Sequence, residues 1–208
     1  DFFSPDIDGQ FNVTINPRQP GSSFKPIVYA AAFIKGFLPQ TILWDVLTSF
    51  KTEIGTYEPK NYNLKEYGPV SMRQALQGSL NIPAVKTLYL VGVSRALDFA
   101  ESLGYSTLKP RSRFGLSLVL GGAEVKPIEH AAAYAAFATE GTLYPTSVIL
   151  RIEDSTGKTL EDWQKPAGTQ VMEPQIARLI SNILSDNEAR TFIFGAHNSL
   201  TLPDRPVA

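Results

Sequence analysis

Ser22 and Lys25 lie three residues apart in RQPGSSFKP, residues 18 to 26, at the mouth of the apolar run Ile27–Ile34. In a helix, residues at that spacing share a face, so a hydroxyl and an amine would sit side by side on the first turn. A serine hydroxyl attacks a carbonyl only when something removes its proton. A lysine can do so when burial, nearby positive charge or the positive end of a helix lowers its pKa. This position offers the helix end, and Phe24, Ile27 and Val28 offer apolar cover. Pro20-Gly21 permits a tight entry and Pro26 is tolerated in a first turn, where N–H groups lack helical partners and can face a developing oxyanion. The chemistry this points to is acyl transfer, with Ser22 as nucleophile and Lys25 as base.

The bare pattern is common. Ser106/Lys109 and Ser155/Lys158 match it as well, but Lys109 precedes a proline, which disfavours helix, and Ser155 falls in a predicted hairpin turn. Only the first pair opens an apolar helix. A second element comes from GSLNIPAV, where Ser79 and Asn81 fall in a short junction between two predicted helices. A hydroxyl there can relay a proton and an amide can hold a substrate carbonyl. The plain alternative is that Ser79 caps the following helix and Asn81 is a turn residue. Ser185-Asp186-Asn187 repeats the S-x-N pattern at a predicted helix end.

The elements that must position these residues are mostly helical. Ser71, with Gln74 three residues on, predicts a capping box for a helix over Met72–Gln77 that Gly78 ends. Ile82–Val91 reads as a helix closed by Gly92, and Ser94 reads as the cap of another over Arg95–Leu103. Pro127 opens a helix through the alanine-rich run toward Gly141, and Pro174 opens one over QIARLISNIL. VILRIED and KTLEDW flank a Ser155-Thr156-Gly157 turn and predict a hairpin. Residues 48–69 read as a long irregular connection.

The chain of 208 residues is 43% hydrophobic with a formal net charge of −1, enough apolar material for one core. Nineteen basic residues against twenty acidic ones provide no basic stripe, which argues against nucleic acid as a partner. The absence of cysteine excludes disulfides and thiolate metal sites, and His130 and His197 are too far apart to read as a ligand pair, so no metal or cofactor is expected. No apolar run approaches the roughly 20 residues needed to cross a bilayer.

RQPGSSFKP and, 57 residues after Ser22, Ser79-Leu80-Asn81 together resemble the transpeptidase domain of bifunctional (class A) penicillin-binding proteins. DIDGQFNV, YEPKNYN with YGPVSMRQAL, and LVLGGAEV with AAAYAAFATEG carry the resemblance along the chain. It implies an α+β fold of the kind shared by serine β-lactamases and penicillin-binding transpeptidases, of which residues 1–208 would be a partial domain, mainly α and with little of the central sheet. It implies that Ser22 is acylated by the D-Ala-D-Ala end of a peptidoglycan stem peptide, that Lys25 is the general base, that Ser79 shuttles a proton to the leaving amine and that Asn81 orients substrate. The Ser22 N–H would form half of the oxyanion hole. β-Lactams would acylate Ser22, and the location would be extracytoplasmic, with any membrane anchor in segments outside this chain.

The family's third motif, K-T-G, is not found within the 208 residues: Lys51-Thr52 precedes Glu53, Lys86-Thr87 precedes Leu88, and Lys158-Thr159 precedes Leu160. In the family that motif follows a segment like RPVA, residues 205 to 208 here, so the resemblance implies a chain truncated before it and inactive alone. Three rivals remain open. A serine β-lactamase would need a further carboxylate for deacylation, a β-lactam sensor would share both motifs, and a non-catalytic helical scaffold would retain them as ancestry.

Overall fold

The computed structural model describes residues 2–52, 55–164, 166–199, 201–202 and 207. Helix α1 (Lys25–Ile34) is apolar on nearly every face, and all of it except Ile34 is buried, so other elements must surround it. A 3-10 turn, Gly21–Phe24, leads into it. Around it lie α2 (Met72–Gln77), α3 (Asn81–Val91), α4 (Val93–Ser102) and α6 (Pro174–Ser185), with α5 (Pro127–Ala138) packed on α6 and a short α7 (Thr191–Phe194) near the end. Ile27, Tyr29, Leu88, Leu97, Leu118 and Ile180 are fully buried in the core that these helices share.

The helix signals behave as their chemistry requires. The Ser71 hydroxyl accepts from the Gln74 N–H at 3.2 Å while the Gln74 side chain accepts from the Ser71 N–H at 2.9 Å, completing the predicted capping box. Pro127 and Pro174 each open their helix. Ser94 is a correction: α4 starts at Val93, and what separates it from α3 is Gly92, whose φ of 92° is open to glycine and rarely to other residues.

Strand is sparse and entirely antiparallel among the described residues. Strand β1 (Ile42–Asp45) pairs with β4 (Gly68–Ser71), and β2 (Phe50–Thr52) with β3 (Gly55–Tyr57). Strand β5 (Thr142–Leu143) pairs with β8 (Thr169–Gln170), and β6 (Arg151–Glu153) with β7 (Thr159–Asp162), the predicted hairpin. The connection over residues 48–69 is therefore not irregular throughout. It holds a two-stranded hairpin and the start of β4, built from β-formers such as Phe50, Thr52, Thr56 and Tyr57 whose alternation is too short to stand out in the sequence. With helices around α1 and strands confined to short pairs, the chain is the mainly helical part of an α+β fold, as expected.

Two contacts fix the turn before α1. Arg18 and Val125 exchange backbone hydrogen bonds at 2.9 Å in both directions. Gly121, with φ 80°, lies against Gly21 so closely that a β-carbon on it would fall 2.2 Å from the Gly21 nitrogen.

Candidate active site

The α2–α3 junction closes over the first residue of α1. After α2, the Ser79 N–H bonds to Leu76 O at 3.0 Å and the Leu80 N–H to Ala75 O at 2.9 Å, the paired bonds of a Schellman termination. The left-handed position of that motif is normally glycine. Here Gly78 is one residue too early, with φ −84°, and Ser79 itself adopts φ 49°. Ser79 is thus not a cap of α3, and Asn81 is that helix's first residue rather than a turn residue. The strained backbone turns the Ser79 carbonyl and hydroxyl toward α1.

Lys25 meets them there. Its Nζ donates to Ser79 O at 2.5 Å, to Ser79 Oγ at 3.0 Å and to Asn81 Oδ1 at 2.8 Å. The side chain is only 1% exposed, and burial lowers its pKa from 10.5 to about 7. An ammonium has three hydrogens and all three are engaged. When the proton leaves, one of these contacts gives way to a lone pair, and a serine hydroxyl can then donate to the nitrogen.

A deeper layer, which sequence reasoning missed, holds Asn81. Asn61 Oδ1 accepts from the Asn81 N–H at 2.7 Å, and the Asn81 amide donates to Lys60 O at 2.8 Å, so the Asn81 side-chain oxygen is left facing Lys25. Asn61 is in turn fixed by Asp45, whose two carboxylate oxygens accept from its Nδ2 at 2.9 and 2.8 Å; the Tyr67 N–H is a second donor to Asp45 at 3.0 Å. Asp45 is fully buried at the end of β1. Asn61 belongs to YEPKNYN, but neither its residue type nor its spacing from Asn81 singles it out in the sequence.

Ser22 is exposed and occupies the 3-10 turn; its carbonyl accepts from the Lys25 N–H, while its hydroxyl makes no hydrogen bond to a described residue. Ser22, Lys25 and Ser79 line one hollow of about 320 Å³, whose remaining wall includes Tyr134, Arg190 and Phe194. The structure therefore brings Ser22, Lys25 and Ser79 to one cavity and Asn81 onto the Lys25 amine. Lys25 bonds Ser79 and Asn81, and among the described residues its amine makes no hydrogen bond to the Ser22 hydroxyl. Arg190 is 6% exposed, caps the end of α6 through Leu184 O, and has no carboxylate partner among the described residues. Among those residues no cluster of His, Asp and Glu is placed to hold a metal. The other S-x-x-K and S-x-N matches are taken up elsewhere. Ser106 bonds Glu129, Ser155 lies in the β6–β7 turn, and Ser185 bonds the Asn182 carbonyl.

Comparison with known proteins matches this architecture to a family. The penicillin binding protein transpeptidase domain family matches residues 9–200. Penicillin-binding protein 1A of Aquifex aeolicus is 39% identical over 156 residues, 74% of this chain and 21% of its own length. Penicillin-binding protein 1F of Bacillus subtilis is 36% identical over 178 residues, 84% of this chain and 24% of its own. The chain thus spans less than a quarter of these relatives. A crystal structure of penicillin-binding protein 1A from Haemophilus influenzae, 27% identical, superposes with a TM-score of 0.79 over 94% of this chain and 33% of that one. An imipenem acyl-enzyme of penicillin-binding protein A from Mycobacterium tuberculosis shares the fold at 17% identity, with a TM-score of 0.79 over 98% of this chain and 53% of that one. The helical frame around α1, the two motifs it brings together and these matches lead to one conclusion: the chain belongs to the penicillin-binding protein transpeptidase family.

Proposed function

We propose that this chain carries the acylation half of a peptidoglycan D,D-transpeptidase site, with Ser22 as nucleophile, Lys25 as base, Ser79 as proton relay and Asn81 as a substrate-orienting amide. In this reading the neutral Lys25 amine takes the hydrogen of Ser22 Oγ as that oxygen attacks the carbonyl carbon between the two D-alanines of a stem peptide. The carbon–nitrogen bond breaks, a proton passes to the departing nitrogen through Ser79 Oγ, and free D-alanine leaves an ester on Ser22. An amine of a second stem then attacks the ester, forming the crosslink and restoring the hydroxyl. The Ser22 N–H, near the start of the 3-10 turn, is suited to face the developing oxyanion. Arg190 adds buried positive charge to the wall, which fits a substrate ending in a carboxylate. Residues 1–208 are read as part of such a domain, acting on the outer side of the cytoplasmic membrane and anchored by segments outside this chain.

The observation that carries this reading is the Lys25 amine, 1% exposed and near neutrality at pH 7, bonded to Ser79 and Asn81 in a hollow that Ser22 also lines. A structural lysine has no need of such burial. The test is incubation with a labelled penicillin followed by intact-mass and peptide analysis. A stable adduct on Ser22 that disappears in Ser22→Ala supports the transpeptidase site. Rapid release of hydrolysed penicillin points instead to a β-lactamase, and a chain that takes no label is a fragment inactive alone or a scaffold.

A further inference from the structure

The Ser22 hydroxyl forms no hydrogen bond to a described residue, so its position depends on what holds the turn around it. Ser23 is that anchor. Its Oγ donates to Pro20 O at 2.6 Å, closing the turn on itself, and the same oxygen lies 2.8 Å from His130 Nε2 on α5. A hydroxyl has one hydrogen. With that hydrogen on Pro20 O, His130 Nε2 must be the donor, which leaves Nδ1 of the neutral imidazole as an acceptor. Tyr105 supplies the matching donor: its O–H lies 2.6 Å from Nδ1, and the residue is 2% exposed. One helical turn beyond His130, the Tyr134 hydroxyl donates to Ser23 O at 2.7 Å, and the two rings pack at 5.1 Å. Every hydrogen in the chain Tyr105–His130–Ser23–Pro20 thus points the same way.

We propose that His130 is a positioning residue for Ser22: its Nε2–H grips Ser23 and, with Tyr134, clamps the turn that presents the neighbouring hydroxyl to the hollow. The catalytic part of this assignment rests on the reading of Ser22 as nucleophile; the clamp itself does not. Protonation would put a second hydrogen on Nδ1, facing a buried Tyr105 hydroxyl already oriented as donor. Burial also lowers the His130 pKa below its ordinary 6.5, so the neutral, clamping form is the one the fold favours. The other titratable groups around the imidazole are Tyr134, held neutral by burial; Glu129 on the same helix, tied to Ser106 and Lys126; and Arg18, whose guanidinium lies over Phe11.

Two readouts on the full chain test this together. One is the rate of acylation by a fluorescent penicillin; the other is deuterium exchange over residues 20–26, which include the Lys25 N–H bonded to Ser22 O. In His130→Leu the acylation rate is expected to fall about 10- to 100-fold, the size of effect a small displacement of a reacting group produces. Exchange should rise over 20–26 and not over α3. His130→Gln, which keeps a donor toward Ser23, should restore most of the rate. Ser23→Ala, which removes the Pro20 O contact as well, should fall at least as far as His130→Leu, and the double variant should fall no further than Ser23→Ala, because the contact between the two side chains is then already gone. The wild-type segment should loosen below pH 6.5, and His130→Gln should abolish that dependence. If His130→Leu does not fold, Ser23→Ala and His130→Gln carry the same comparison. Unchanged exchange in the variants overturns the clamp, and altered exchange with an unaltered acylation rate overturns the positioning role. A wild-type chain that takes no label, yet whose 20–26 segment loosens on substitution, keeps the clamp and overturns only the claim that this chain by itself is acylated at Ser22.

Discussion

The two halves of the site are three residues apart in sequence and opposite in environment. Lys25 is 1% exposed, makes three hydrogen bonds and sits above a second layer of Asn61 and Asp45 that is itself buried. Ser22 is exposed, its hydroxyl makes no hydrogen bond to a described residue, and the turn that carries it is steadied through Ser23. The boundary between the 3-10 turn and α1 falls between them, and although both line the hollow, one is buried and the other exposed. The difference suits the chemistry proposed for each. An amine becomes a base near neutrality only when water is kept from its charged form, whereas a nucleophile must be reachable by substrate. Rigidity is spent on the base, and openness is kept for the hydroxyl.

Removing the amine tests this most severely. Lys25→Met keeps much of the apolar stem and deletes the base, and labelled-penicillin acylation is expected to fall by about 10²- to 10⁴-fold. In the unaltered chain the rate should climb through pH 7 as Lys25 loses its proton and then level off. The stability consequence has a defined sign. Because the folded pKa of about 7 lies below the unfolded value of 10.5, the unfolded chain binds more protons between these limits. Stability attributable to Lys25 therefore rises with pH across that window and is lost as pH falls through 7. Thermal melts from pH 6 to 10 on wild type and Lys25→Met check it; identical profiles would show that the burial does not act on the charge.

Next in size is the layer beneath. Asn61→Ala leaves the Asp45 carboxylate buried with one backbone donor and frees the Asn81 N–H, so about 3 kcal/mol of stability should be lost. The same deletion on the open side, Ser22→Ala, removes no hydrogen bond and should move the melting temperature hardly at all. Denaturant titrations of the two variants measure the contrast directly, and equal losses would erase the distinction between a rigid and an open half.

Much of this frame was legible in the residues themselves. Pro127, Pro174, the Ser71–Gln74 box and the apolar run after Lys25 each act over one or two turns, so their signals are local and the helices appear where they predict. The pairing of Ser22–Lys25 with Ser79 and Asn81 came from motif context. Asn61, Asp45 and His130 were not legible because their meaning depends on contacts across 16 to 107 positions of chain that no periodicity encodes. Ser94 misled for a physical reason: a capping residue was present, but Gly92 had already set the boundary with a backbone conformation that needs no side chain.

The smallest predicted effect separates function from fold at a single residue. Ser79 occupies the left-handed seat of the Schellman turn at φ 49°, a conformation costing a non-glycine residue about 1–2 kcal/mol. Its hydroxyl is also the longest of the three contacts to Lys25, at 3.0 Å, while the carbonyl at 2.5 Å would survive any substitution. Ser79→Gly should therefore be more stable than Ser79→Ala by about 1 kcal/mol, and close to or above wild type, since relief of the backbone offsets the lost hydroxyl contact. Both variants should acylate slowly, because neither can relay a proton. Urea titrations of the three proteins, run beside the labelling assay, distinguish the terms: if glycine gains nothing over alanine, the turn is not strained, and if glycine acylates like wild type, the hydroxyl has no part in the chemistry. A variant that gains stability while losing rate would mean that serine is held in that seat for its oxygen, against the preference of its own backbone.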